Sequence, residues 1–129
     1  MKNRLLRGFR IAAAVLAVAG LAAAQDQGTD NGREFHWTGK LAPDQVLVIK
    51  DINGNIDANG ASSSDQIEVS ATKSGSGAED VKIHVVKLND GVMICAVYPG
   101  FFNSENCDSS SHFGNSHNNA RVDFTIHMP

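Results

Sequence analysis

"QVLVIKDINGNIDANG", residues 45–60, decides the fold, because it supports two incompatible readings. Oxygen-bearing side chains recur at Asp51, Asn53, Asn55, Asp57 and Asn59, which is how a calcium loop begins. An EF-hand loop then needs a glycine at its sixth position and a bidentate glutamate at its twelfth. Counted from Asp51, those places hold Ile56 and Ser62, so the match fails where the geometry is most demanding. The other reading is two strands and a turn. Asn53-Gly54 tolerates the positive φ angles of a type I′ hairpin, and Ile52 and Ile56 are spaced to cover the core beside it. The stretch is therefore read as scaffold, with Asn53 and Gly54 as turn residues.

Outward from it, apolar residues recur with period two, as expected of strands whose successive side chains face opposite ways. "EFHWTG" sets Phe35 and Trp37 against Glu34 and His36, and "DQIEVSATK" sets Ile67, Val69 and Ala71 against Glu68, Ser70 and Thr72. "DVKIHVVKL" places Val81, Ile83 and Val85 opposite Lys82 and His84. "RVDFTIHMP" turns Val122, Phe124, Ile126 and Met128 inward. "QVLVIKDI" and "GVMICAVYP" are apolar on both faces, which predicts central strands. Asp90-Gly91 predicts a second type I′ hairpin. No window after residue 24 carries a helical stripe, so the fold class is all-β, rich in hairpins.

The amino terminus is of another kind. Lys2, Arg4, Arg7 and Arg10 precede an uncharged run, Ile11 to Ala24, with Ala22 and Ala24 at the A-x-A positions. This is the pattern of a cleaved secretory signal helix, and the run is short of the ~20 residues of a spanning helix, the alternative being an uncleaved anchor. Export to the periplasm, the cell surface or the medium is expected. Removal of residues 1–24 takes four of the 11 basic residues and none of the 14 acidic ones, leaving seven against 14, a net charge of −7. An acidic chain offers no basic footprint for nucleic acid. Residues 25–33, "QDQGTDNGR", contain no apolar side chain and are expected to be a flexible tether before a single domain, 34–129.

Cys95 and Cys107 remain in the exported part, where an even count favours a disulfide over two unrelated thiols. The bridge would close a short ring worth about 3 kcal/mol in the chain-entropy model. It would also pin the first half of the long Ser/Asn/Gly-rich connection, residues 99–119, against the sheet. That connection carries His112 and His117, candidate zinc or copper ligands beside Asp108. An H-x4-H spacing in a loop does not put both rings on one side, and a disulfide cysteine is no thiolate ligand, so solvated histidines are the plainer reading. Tyr98, Phe101 and Phe102 are either a small cluster under the loop or a contact surface for a protein or glycan. No serine-nucleophile elbow or phosphate loop occurs, and the carboxylates form no acid and base pair. An enzyme, and any cofactor, is therefore not expected.

"LVIKDINGNIDANGASSSDQIEVSATKSG", then "VKIHVVKLNDGVMICAVYPG" and "RVDFTIHMP", together resemble the opening segment of a bacterial adhesin-type domain family of unknown function, found in exported cell-envelope proteins. Gly54-Asn55-Ile56, Ile67 to Lys73 and Val122 to Pro129 take the places of the family's G-x-I turn, "xVxVxAxK" strand and "VDFTVxVP" strand. The resemblance spans about residues 34–129 and implies the opening turns of a β-solenoid serving as scaffold, with no catalytic residues to carry over. The chain ends where family members continue into repeats, so it is read as a short or truncated form, or as a remnant without independent function. A missing stack would leave Arg121 to Met128 as an uncovered edge able to drive self-association.

Overall fold

The computed structural model describes residues 27–60, 63–99, 107 and 119–129. The fold is all-β: β1 (Thr29–Asp30), β2 (Glu34–Gly39), β3 (Val46–Lys50), β4 (Ile56–Asn59), β5 (Ile67–Ser74), β6 (Lys82–Leu88), β7 (Gly91–Val97) and β8 (Arg121–His127), with a 3-10 turn at Ala78–Asp80. They make a five-stranded sheet, β1-β2-β5-β8-β4, and a three-stranded sheet, β3-β7-β6. Alternation explains the assembly. Phe35, Trp37, Ile67, Val69, Ala71, Val122, Phe124 and Ile126 of the larger sheet meet Ile83, Val85, Ile94 and Ala96 of the smaller in one buried cluster.

Both sheets are mixed. β2, β5 and β8 pair antiparallel, as do β6 and β7, while β3 runs parallel to β7 and β4 parallel to β8. This corrects three expectations. Asn53-Gly54 does not close a hairpin, since β3 and β4 lie in different sheets and the turn carries the chain from one to the other. Gly54 is required there because a Cβ would fall 1.6 Å from the Val122 carbonyl oxygen. Asp90-Gly91 does lie at a hairpin, in which Leu88 pairs with Gly91. Neither Asn89 nor Asp90 has positive φ, so the turn is not type I′. Gly91 serves close approach as well, a Cβ there falling 1.9 Å from the Val46 carbonyl oxygen.

The third correction concerns edges. β8 lies between β5 and β4, so Arg121 to Met128 is no sheet edge and cannot associate as one. β3, expected to be central from its apolar run, is an edge strand; only β7 fits that expectation. The run is apolar on both faces because Leu47 and Ile49 pack against the core while Val46 and Val48 share the outer face with Met93.

The segment read as a tether is partly built into the sheet. Thr29 and Asp30 pair with His36 and Phe35, and the Asp30 carboxylate accepts two 2.7 Å hydrogen bonds from the Lys73 Nζ. Lys73, 1% exposed, is in phase with Ile67, Val69 and Ala71 and so enters the core; its Nζ also donates to the Val81 carbonyl at 2.7 Å. Burial opposes ionisation of Asp30. Hydrogen bonds from Lys73, Gly32 and Ile83, with the Lys73 charge, outweigh it and hold the carboxyl below its ordinary value.

Candidate functional site

The two long sides of the sandwich differ. On the β6 side the edge is met by the amino-terminal arm. Gln27 Nε2 donates to the Val85 carbonyl at 3.3 Å, and the Ile83 amide donates to Asp30 Oδ2 at 3.4 Å. Side chains thus occupy edge groups that a foreign strand would use.

Among the described residues the opposite side is left open. β4 is exposed along its whole length, and the large apolar side chains exposed among the described residues, Val46 (45%), Ile52 (51%) and Ile56 (51%), all lie here. Pairing with β8 uses the carbonyls of Asn53, Asn55 and Asn59, which accept from the amides of Val122, Phe124 and Met128 at 2.8–2.9 Å. Successive residues of a strand turn their backbone groups to opposite sides, so the N–H and C=O of Ile56 and Ala58 point away from β8, to the free edge. Ile56 and Ala58 lie opposite the buried Phe124 and Ile126, so their side chains share the core-facing side. A cleft of about 350 Å³ opens beside them, lined by Ile49, Ile52, Ile56, Ala96, Val97 and the cysteine pair together with Lys50 and Asp51.

The crossing between the sheets is fixed from below. The Tyr98 hydroxyl is 2.8 Å from Asp51 Oδ1 and 2.9 Å from the Asn53 carbonyl, and Asn53 Nδ2 donates to the Ala120 carbonyl at 2.9 Å. Asp51 Oδ1 also accepts the Ile52 amide, while Oδ2 is buried without a hydrogen-bond partner among the described residues. Burial pushes the Asp51 carboxyl above its ordinary value, against the bonds from Tyr98 and the backbone. Burial, then the neighbouring acid, pushes the Tyr98 phenol well above its own. Asn55 donates its amide to Asp123 Oδ1 at 2.9 Å, and Arg121 Nε binds the same carboxylate. Arg121 first, then the Asn55 amide, hold the Asp123 carboxyl below its ordinary value. Of the alternating polar residues, Asp51 and Asn53 thus anchor the crossing through their side chains and Asn55 through its backbone amide, while Asp57 and Asn59 stay exposed on β4.

Cys95 and Cys107 are joined in a disulfide with a Cα–Cα distance of 6.0 Å, and both are buried. His112, His117, Asp108, Phe101 and Phe102 lie outside the described residues, as does the amino-terminal signal pattern. Tyr98 packs in the core rather than on a contact surface. His36 and His127 share the outer face of the larger sheet, facing Ser70 and Glu68 across β5, while His84 stands on the smaller sheet beside Cys95. Among the described residues no group of three or more His, Cys, Asp or Glu is arranged to hold a metal ion. The chain matches no protein-family model, no curated protein and no solved structure.

Proposed function

We propose that the protein is an exported, non-enzymatic interaction module of the bacterial envelope, of the adhesin-like kind, that binds a protein or glycan through the open β3–β4 side. The observation that carries this reading is the unequal treatment of the two sides. Among the described residues, one edge is blunted by Gln27 and Asp30 while three large apolar side chains and a cleft are uncovered on the other side. Uncovered apolar surface rimmed by polar groups is a feature of binding surfaces. Export is supported by the basic and apolar amino terminus and by a buried disulfide, a bond that persists in oxidising compartments.

The test has two arms. Residues 1–24 fused to a reporter enzyme active only outside the cytosol are expected to give activity in the periplasm or medium. The purified exported chain is expected to bind isolated cell envelopes saturably, and Ile56→Lys is expected to weaken that binding without lowering the melting temperature. A silent reporter, or envelope binding untouched by Ile56→Lys, refutes the reading.

A further inference from the structure

Resting on that reading, we infer that the occupant of the open side is an extended, basic peptide segment, added to the larger sheet as a strand beside β4 with an apolar side chain in the adjoining cleft. The edge, free among the described residues, presents two N–H and two C=O groups, from Ile56 and Ala58, at the spacing another strand uses. Ile56 belongs both to that edge and to the cleft wall, so a strand hydrogen-bonded there would direct alternate side chains over Ile49, Ile52 and Ile56. The other side chains would stand beside β4 on the outer face. There Asp57 is exposed, its carboxylate accepting a 3.4 Å hydrogen bond from Asn59 Nδ2. An opposite charge directly across from an exposed carboxylate favours pairing, and a like charge opposes it. The whole chain is acidic, which disfavours a second copy of itself as occupant. Backbone groups set the extended conformation, the cleft sets an apolar residue, and Asp57 sets a basic neighbour.

The experiment titrates the purified exported chain with acetyl-Lys-Val-Lys-Val-Lys-Val-amide, with its Glu-Val counterpart, and with a Lys-Val peptide N-methylated at alternate amides. Anisotropy gives the affinities, and amide hydrogen exchange locates the contact. The basic peptide is expected to bind saturably, about tenfold or more tighter than either control, while protecting the Ile56 and Ala58 amides. Ala58→Pro removes a donor that β8 does not use and is expected to abolish binding. Asp57→Lys, a surface change that leaves pairing to β8 intact, is expected to reverse the charge preference and serves if the proline variant does not fold. The inference is overturned by indifference to N-methylation and to Asp57→Lys, or by no binding at about 1 mM peptide. Concentration-dependent dimerisation that protects the same amides also overturns it, assigning the edge to a second copy. Envelope binding retained without peptide binding refutes strand addition alone; loss of export and envelope binding refutes the reading beneath it.

Discussion

Along β6 the strand edge is met by side chains of the amino-terminal arm, whereas along β3 and β4 no described residue covers it. The closed side shows what this sequence does when an edge is a hazard: it places Asp30 and Gln27 on unpaired backbone groups. The open side has material for the same treatment in Asp51 and Asn53, yet spends those side chains inward on Tyr98 and Ala120. One side is thus held by a buried ion pair and the other by backbone and hydroxyl bonds, so the two should fail differently.

The largest effect belongs to the closed side. Asp30→Ala strands the Lys73 ammonium in the core and is expected to cost about 3–5 kcal/mol in urea unfolding, with Lys73→Met in the same chain restoring most of it. A loss under about 1 kcal/mol would mean the arm is decoration and the contrast false. Next, reduction of Cys95–Cys107, which walls the open side, is expected to cost about 3 kcal/mol. Tyr98→Phe, which unties the crossing from Asp51 and Asn53, should cost about 1–3 kcal/mol.

pH sharpens the comparison. The Asp30 carboxyl sits below its unfolded value, so its contribution is complete above about pH 4 and is lost as pH falls through the lower folded value. Asp51 has the opposite sign, because its raised folded value favours the protonated form and its contribution fades as pH rises through that value. Asp30→Asn should therefore flatten the acid limb of the melting-temperature profile, and Asp51→Asn should flatten the limb above it. The smallest effect is on the open side, where Ile56→Lys should change stability by less than about 0.5 kcal/mol.

Strand existence was legible in the sequence because period two survives nearly everywhere, and β5, β6 and β8 bury the residues that alternation assigns. Strand order was not. A parallel partner leaves no local mark, so β3 reads as central and β8 as an edge when the reverse holds. Gly54 and Gly91 were identified as necessary for the wrong cause: both yield space to a neighbouring carbonyl instead of forming type I′ hairpins. Lys73 carried a usable signal in its phase with Ile67, Val69 and Ala71, but its counter-ion lies 43 residues away in a stretch with no apolar side chain to advertise burial. The open side was illegible for the same reason, since exposure of Ile52 and Ile56 depends on which sheets β3 and β4 join.

Among the described residues the carboxylate bonded to Lys73 Nζ is that of Asp30, in β1 ahead of every other strand, so trimming from the amino-terminal side reaches it first. An aminopeptidase removing residues up to Gly28 leaves the charge pair whole, while two steps further it deletes Asp30 and turns a stable substrate into one that unfolds and is degraded throughout. Trimming past Asp30 is thereby expected to shorten the molecule's half-life, while copies whose first residue still precedes Asp30 keep the pair.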